Sequence, residues 1–294
     1  MPEAPVAGLT LWYDTFGEPE DPPLLLIAGL NAQAIAFSEE FCQGLVDRGF
    51  YVIRFDNRDV GLSTKFTEQV DVVALVGAIA AGEPATAPYL LSDMAKDASG
   101  VLDHLGIAAA HVVGVSMGGM VAQQLAVEQP DRLLTLTSIM SSTGESDVGQ
   151  PDPTVLPLLL AAPPLNEEEV LARAEAWSSQ VGSPDHRDPE RVRVVALAQF
   201  ERCFAPGAAA RQLAAIVSSP NRAEGLAGLA VPTLVLHGSV DKLVAPSGGE
   251  RTAELVPGAE FHLLEGMGHD LPVYFWSRVI ELITRHAAQA ASQF

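Results

Sequence analysis

Short apolar runs alternate with amphipathic stretches along most of this 294-residue chain. An apolar run of about four to eight residues favours a buried strand, whereas apolar residues three and four apart favour a helix. Residues 92–105 show the helical pattern, with an apolar face that includes Met94 and Leu102, and Gly106 follows as a stop signal. Alternating strands and helices are typical of an α/β protein with a mostly parallel sheet. Strands are predicted at 9–15, 24–27, 51–55, 111–115, 133–140, 233–236 and 260–264.

Local signals also mark where the helices of this core begin and end. Ser38 is a candidate N-cap for a helix over 37–48, which Gly49 ends. Pro272 lies in the first turn of the last predicted helix, 272–288. Further core helices are predicted at 92–105, 118–128 and 249–255.

Two segments depart from this alternation. Residues 141–228 are rich in Pro, Ala, Glu and Arg and show no strand pattern. We interpret them as a helical cap inserted between two strands, so that the core comprises residues 1–140 and 229–294. Helices of the cap are predicted around 167–177, 189–204 and 208–218. Residues 70–89, rich in Val, Ala, Gly and Pro, are predicted to be a second, irregular insertion.

Composition and charge narrow the classes of partner. Hydrophobic residues make up 48% of the chain and charged residues 18%, which is a globular composition. The formal net charge is −20, so the protein should repel phosphate backbones and anionic membranes. We therefore expect neither nucleic acid nor a membrane as a partner.

Cysteine and basic residues bear on compartment and cofactors. The two cysteines, Cys42 and Cys203, cannot form a disulfide framework, and neither belongs to a CxxC pair. The first basic residue is Arg48, so the N-terminus lacks the charged region of a signal peptide, and we expect a cytoplasmic protein. The chain has no P-loop, HExxH or GxGxxG pattern, so we expect no cofactor and no metal.

The motif with the clearest chemistry is Gly-Val-Ser-Met-Gly at residues 114–118. It follows a predicted strand and opens a predicted helix, which is the context of a nucleophile elbow. Glycine at both flanks permits a turn sharp enough to lift Ser116 out of the sheet. The N–H of Met117 would then face a developing oxyanion from a helix N-terminus. The alternative is a glycine-rich turn whose serine is idle.

A serine nucleophile needs a base, and the base needs an acid. His269 follows the last predicted strand in a glycine-rich loop, and Asp241 precedes it by 28 residues, past the strand 233–236. That spacing leaves room for one helix and one strand, so both loops should emerge at the same sheet edge. His237 is a second candidate base, and Asp147, beyond the strand 133–140, is the alternative acid.

A second oxyanion donor is expected in the loop after strand 24–27, where we choose the N–H of Leu30. Asn31 either orients that loop or belongs to a turn. In the predicted cap, large apolar residues at helix-like spacing could line a substrate pocket or pack the cap against the core. These residues are Trp177, Phe200 and Phe204. Asn31, in the loop after strand 24–27, is a further candidate for the substrate pocket.

Three segments carry a resemblance to the α/β-hydrolase fold superfamily, and within it to aclacinomycin-methylesterase-like hydrolases. They are Phe-Asp-Asn-Arg-Asp-Val-Gly-Leu-Ser-Thr at 55–64, Gly-Val-Ser-Met-Gly-Gly-Met at 114–120 and Gly-Met-Gly-His-Asp-Leu-Pro at 266–272. The resemblance implies an eight-stranded, mostly parallel sheet flanked by helices, with a helical cap insertion. The chain departs from the family at Ala28, where histidine is common, and at Asn31, where many relatives have glycine.

The resemblance also implies roles. Ser116 would be the nucleophile, His269 the base and Asp241 its partner, in the chain order of this superfamily. The oxyanion donors would be the N–H groups of Leu30 and Met117. A haloalkane dehalogenase or epoxide hydrolase is disfavoured, because those enzymes have Asp where Ser116 stands.

These residues favour a cofactor-independent carboxylic-ester hydrolase that works through an acyl-enzyme on a small-molecule ester. Because one fold hosts many reactions, a C–C bond or amide (aminopeptidase-type) hydrolase on the same triad remains an alternative. A ligand-binding protein that retains the triad is a third. A homodimer is the candidate assembly.

Overall fold

The computed structural model describes residues 2–83 and 86–291. Its eight strands form one sheet in the order β1-β2-β4-β3-β5-β6-β7-β8. The strands are β1 (Glu3–Val6), β2 (Leu9–Phe16), β3 (Pro23–Ile27), β4 (Tyr51–Phe55), β5 (Ala110–Val115), β6 (Leu133–Ile139), β7 (Thr233–Gly238) and β8 (Glu260–Leu264).

The six strands from β4 to β8 in this order are parallel, and β2 pairs antiparallel with both β1 and β4. The predicted mostly parallel, eight-stranded α/β-hydrolase sheet is therefore confirmed. In this arrangement the carboxyl ends of β3, β5, β7 and β8 lie along one edge, where open α/β sheets bind their ligands.

The strand β1 was absent from the hydrophobic pattern. It has only four residues, and it joins β2 through a tight turn at Ala7 and Gly8, where φ is 47° and 85°. Two consecutive residues with positive φ are typical of a type I′ hairpin turn, whose usual sequence signal is Asn-Gly or Asp-Gly. Ala-Gly does not give that signal.

Helices cover both faces of the sheet. The helices are α1 (Glu39–Val46), α2 (Val72–Ala80), α3 (Leu91–His104), α4 (Met117–Glu128), α5 (Leu156–Leu159), α6 (Glu167–Val181), α7 (Pro189–Arg202), α8 (Ala208–Ser218), α9 (Ala223–Ala227), α10 (Ser247–Leu255) and α11 (Val273–Ala291). The Ser38 side chain accepts a hydrogen bond from the Phe41 N–H at the start of α1, which confirms the predicted cap.

Strand β3 shows how the core is divided. Its side chains alternate between the two faces of the sheet. Leu25 and Ile27 belong to the apolar cluster that includes residues of α3 and α4. Leu24 and Leu26 belong to the cluster that includes residues of α1 and α11. Both faces of the strand are buried, so its sequence is an unbroken apolar run.

Residues 141–228 contain α5 to α9 and no strand, and they connect the parallel neighbours β6 and β7. Side-chain caps start the two longest of these helices: Asn166 accepts from the Glu169 N–H, and Asp188 from the Arg191 N–H. We call residues 141–228 the helical insertion. Its role as a cap domain stays a prediction.

The prediction of a wholly irregular segment at 70–89 was wrong, because α2 lies within it. The Asp71 side chain caps this helix by accepting from the Ala74 N–H at 2.9 Å. The sequence of α2 is almost entirely apolar, so it has no polar face to reveal a helical period. Residues 84 and 85 of that segment lie outside the described residues, as do residues 1 and 292–294 of the predicted core.

Within residues 2–83 and 86–291, no helix combines the length and apolarity needed to span a membrane.

Candidate active site

Ser116 lies at a sharp turn between β5 and α4. Its φ of 56° and ψ of −119° place a non-glycine residue in a strained backbone region. A Cβ at Gly114 would overlap the carbonyl of Gly118, and a Cβ at Gly118 would overlap the carbonyl of Ile27. Both glycines of the motif are therefore required by close backbone contacts, as the sequence pattern predicted.

A continuous hydrogen-bonded chain links the three predicted catalytic residues. Nε2 of His269 lies 2.9 Å from Oγ of Ser116, and Nδ1 of His269 lies 2.7 Å from Oδ2 of Asp241. We assign the ring proton to Nδ1, because the carboxylate can only accept. Nε2 is then free to accept from the serine hydroxyl. His269 and Asp241 are buried.

The environment of Asp241 keeps it ionised. Its Oδ1 accepts the backbone N–H groups of Leu243 and Val244 at 2.9 and 3.0 Å. Burial alone would raise the pKa of this carboxyl, but the His269 ring, a hydrogen bond from His237 and the Val244 N–H together hold the pKa well below its ordinary value. The carboxylate that lies 2.7 Å from Nδ1 of His269 is therefore ionised.

The two alternative residues occupy other places. His237 is fully buried, with Nε2 at 2.8 Å from the Val244 carbonyl and 3.5 Å from Oδ2 of Asp241. It therefore lies behind the acid rather than beside the serine. Asp147 is exposed in a turn of the helical insertion. The carboxylate that contacts Nδ1 of His269 is that of Asp241 and not that of Asp147.

The loop after β3 lies against the serine. A Cβ at Gly29 would lie 3.3 Å from Cβ and 3.8 Å from Oγ of Ser116. The next residue is Leu30, and its N–H donates to no other protein group within the described ranges. Met117 is the first residue of α4, so its N–H has no partner within the helix. Both predicted oxyanion donors are thus free of other partners among the described residues, and their role in an oxyanion hole stays a prediction.

Asn31 is a turn residue. Its φ is 58°, a conformation that asparagine adopts more readily than most residues, and the turn is closed by the Ala32 N–H to the Gly29 carbonyl at 3.2 Å. The side chain is exposed, whereas the backbone N–H donates to Oε1 of Gln212 in α8 at 2.7 Å.

The three predicted pocket aromatics lie on α6 and at the end of α7. The rings of Phe200 and Phe204 are 5.0 Å apart. Trp177 is partly buried on α6, one turn before Val181, whose carbonyl accepts the backbone N–H of His269 at 2.6 Å. The contribution of these aromatics to a pocket stays a prediction.

Sequence reasoning missed a contact between the helical insertion and the histidine loop. Ser183 donates from its N–H and its hydroxyl to Oδ1 of Asp270, at 2.9 and 2.5 Å, and its hydroxyl accepts from the Gly268 N–H at 2.9 Å. Burial raises the pKa of the Asp270 carboxyl. The only sequence signal was the position of Asp270 directly after His269.

A second missed contact joins α7 to the loop after β3. The Gln33 N–H donates to Oε1 of Gln199 at 3.0 Å, and the Gln33 side chain donates to the carbonyls of Gln199 and Cys203. Close by, Arg202 pairs with the buried Asp56 at 2.8 Å. Asp56 belongs to the segment 55–64, so the motif was visible in the sequence, but its partner was not.

No group of three or more His, Cys, Asp or Glu side chains in the part of the chain that the structure describes is arranged to hold a metal ion.

The sheet and the serine at its strand-to-helix turn define an α/β-hydrolase. The chain belongs to the family described as serine aminopeptidase, S33, whose sequence model matches residues 19–273.

Comparisons with known proteins agree with this assignment. The chain is 32% identical to rhodomycin D methylesterase DauP of Streptomyces sp. (strain C5) and 31% identical to DnrP of Streptomyces peucetius, each over 96% of both proteins. These relatives confirm the resemblance drawn from the motifs.

Solved structures agree at the level of the fold. A meta-cleavage product hydrolase from Pseudomonas fluorescens IP01 has a TM-score of 0.74 at 22% identity, over 99% of this chain and 98% of that one. The enol-lactonase from Burkholderia xenovorans LB400 has a TM-score of 0.72 at 23% identity, over 99% and 100%. At these identities the similarity supports the fold alone.

Proposed function

We propose that this protein is a serine esterase that hydrolyses small-molecule carboxylic esters through an acyl-enzyme on Ser116. The observation that carries the proposal is the hydrogen-bonded chain from Oγ of Ser116 through His269 to Asp241. Its similarity to two methylesterases along nearly the whole chain supports the assignment of the protein as a carboxylic-ester hydrolase. The triad and the covalent intermediate are the new part of the proposal.

The first half-reaction forms the acyl-enzyme. Oγ of Ser116 attacks the ester carbonyl carbon while Nε2 of His269 takes the hydroxyl proton. The carbonyl oxygen becomes an oxyanion, which accepts from the N–H groups of Leu30 and Met117. The carbon–oxygen bond to the alcohol then breaks, and His269 returns the proton to the departing alcohol.

The second half-reaction uses water in place of the alcohol. His269 takes a proton from the water as the water oxygen attacks the acyl carbon. The bond from the acyl carbon to Oγ then breaks, His269 returns the proton to Oγ, and the acid leaves. Asp241 holds Nδ1–H throughout and stabilises the imidazolium in each half. The net change is one ester and one water to one acid and one alcohol.

The substrate class follows from charge and from the relatives. A net charge of −20 disfavours anionic substrates, although salt screens this effect beyond about 8 Å. The relatives are methylesterases, which favours a small alcohol such as methanol as the leaving group. In this proposal the helical insertion is the cap that forms the wall around the rest of the ester.

Amide hydrolysis on the same triad is a second candidate, because the matching family is described as a serine aminopeptidase. The chemistry needs the same three residues, and the leaving group would be an amine instead of an alcohol. Matched 4-nitrophenyl esters and 4-nitroanilides of one acyl group separate the two candidates.

Intact-mass analysis with a serine-directed phosphonate tests the proposal. Wild-type protein should gain one adduct and lose 4-nitrophenyl ester turnover, and Ser116→Ala should gain none. Loss of the nucleophile should lower kcat by a factor on the order of 10⁶. Ser99→Ala is the control, because Ser99 is a buried serine on α3 whose hydroxyl donates to the Lys96 carbonyl. Ser116→Ala with more than a few per cent of wild-type turnover would contradict the proposal.

A further inference from the structure

The loop that carries Leu30 is held by two buried amide side chains. Nδ2 of Asn57, which follows β4, donates to the Ala28 carbonyl at 3.0 Å. Oε1 of Gln212 accepts the Asn31 N–H at 2.7 Å. Asn57 and Gln212 are 1% and 0% exposed, so neither amide competes with bulk water for these bonds. The backbone on both sides of Leu30 is therefore fixed.

Gln212 comes from the helical insertion and bridges two loops of the core. Its Nε2 donates to the Arg58 carbonyl at 3.0 Å, while its Oε1 accepts from Asn31. One end of the amide must donate and the other must accept, so only one orientation of the side chain satisfies both partners. The amide thus ties the loop after β3 to the loop after β4.

A neighbouring ion pair fixes the position of Gln212 itself. Arg211 donates to both carboxylate oxygens of Asp59, at 3.0 and 2.9 Å, and the Tyr89 hydroxyl donates to the same carboxylate at 2.5 Å. Arg211 and Asp59 are both buried. Helix α8 therefore cannot shift along the core without breaking a paired, desolvated charge.

The backbone at Asn31 needs such support. Its φ of 58° lies in the left-handed region, which asparagine enters more readily than most residues but which still costs more than right-handed or extended backbone, so the Gln212 bond helps to hold it there. The neighbouring peptide carries the Leu30 N–H, and the Gly29 backbone packs against the side chain of Ser116. Loss of the Gln212 bond would free the Asn31 backbone, and with it the adjoining peptide that carries the Leu30 N–H.

We infer that Gln212 is a positioning residue that holds the Leu30 N–H toward Ser116, so that the helical insertion completes the oxyanion hole. The inference rests on the proposed acyl-enzyme mechanism at Ser116. It assigns the insertion a part in transition-state stabilisation, in addition to any role in substrate selection.

The test compares Gln212→Met with a matched variant, Gln123→Met. Methionine keeps the unbranched shape and loses both hydrogen bonds. Gln123 is also 0% exposed, but it lies on α4 and donates to Oγ of Ser138 at 3.1 Å. Each protein is assayed with 4-nitrophenyl butyrate and with its thionoester, in which sulfur replaces the carbonyl oxygen. Sulfur is a weak hydrogen-bond acceptor, so a thionoester gains less from the oxyanion hole.

Gln212→Met should lower kcat for the oxygen ester about 10- to 100-fold, less than the roughly 10²–10³-fold loss that follows deletion of a whole donor. KM should change less than about threefold, and the ratio of oxygen-ester to thionoester kcat should fall about tenfold. Gln123→Met should lower Tm and leave that ratio unchanged. Gln212→Asn, which stays polar but is too short to bridge both partners, should shift the ratio in the same direction and serves if the methionine variant does not fold.

Two outcomes overturn the role of Gln212: an unchanged kcat, or a lower kcat with the oxygen-to-thiono ratio of the wild type. The second would mean that Gln212 only stabilises the fold. Failure of the acyl-enzyme mechanism itself would give a different result. The Ser116→Ala protein would then still hydrolyse the ester, and the Gln212 variants would hydrolyse it at the wild-type rate.

Discussion

A single strained residue organises the candidate site. Ser116 keeps φ near 56° because hydrogen bonds hold both of its backbone polar groups. Its N–H donates to the Ile139 carbonyl at 2.9 Å, and its carbonyl accepts the Ser141 hydroxyl at 2.9 Å. A conformation of this kind costs roughly 1–3 kcal/mol. The strain is useful because it exposes Oγ to His269 while the backbone stays packed.

At the residue scale, Asp241→Asn should lower kcat by a factor on the order of 10⁴. An amide at this position can donate to Nδ1 and so favours the wrong tautomer of His269. Steady-state ester hydrolysis measures the effect. Asp147→Asn is the matched control, because Asp147 is exposed in a turn, and it should stay within about twofold of wild type. Inactivation by the Asp147 change and not by the Asp241 change would reverse the assignment.

At the scale of elements, helices of the insertion are bonded to two loops of the site. The end of α6 contacts the histidine loop through Val181 and Ser183. Helices α7 and α8 contact the loop after β3 through Gln199 and Gln212. These contacts join the insertion to the two loops that flank Ser116, and a pocket formed by its aromatic side chains stays a prediction.

Substitutions on these helices should therefore change acyl specificity. We expect a change in the ranking of kcat/KM across acyl lengths in the variants Trp177→Ala, Phe200→Ala and Phe204→Ala. The ratio of kcat/KM between two acyl lengths should shift by about tenfold, since one methylene in an apolar pocket is worth roughly 10–200-fold. Labelling of Ser116 by a small phosphonate should persist. Val194→Ala, on the exposed side of α7, is the control. An unchanged ranking in all three variants would assign the pocket to the core loops instead.

For the whole molecule, buried histidines make stability depend on pH. Burial, and secondarily the charge of His286, lower the pKa of His111 to about 4, from an ordinary value near 6.5. Burial also lowers the pKa of His286. Nδ1 of His111 is hydrogen-bonded to Oγ1 of Thr135 at 2.9 Å, and the ring makes a T-shaped contact with the ring of Phe50. In both rings the folded protein favours the neutral form.

The sign of the effect follows from linkage. Between pH 6.5 and about 4 the unfolded chain binds a proton at His111 that the folded protein does not, so the free energy of unfolding should fall as pH falls through this window. The slope is at most about 1.4 kcal/mol per pH unit for each such histidine. Urea unfolding at several pH values should show a shallower slope for His111→Gln, and His104→Gln, at an exposed ring, should match wild type. Equal slopes in His111→Gln and wild type would contradict the prediction.

The sequence by itself determined the features that depend on neighbours along the chain. The strands β4 and β8 match their predicted bounds, because a short apolar run between turn residues favours a buried strand. The glycines at 114 and 118 identified the turn at Ser116, because only a residue without Cβ tolerates those contacts. The strand β1 was not predicted because its hairpin turn lacks the usual Asn-Gly signal. The helix α2 was not predicted because it has no polar face.

Only the tertiary structure decided which side chains meet. The sequence favoured Asp241 and left Asp147 as the alternative, and the 2.7 Å contact of Asp241 with His269 exists only because their two loops emerge at the same place. Gln212 lies 181 residues from Asn31, and Ser183 lies 87 residues from Asp270. No period or motif connects such pairs, because a side-chain hydrogen bond depends on atomic positions that exist only once the sheet and the insertion have packed together.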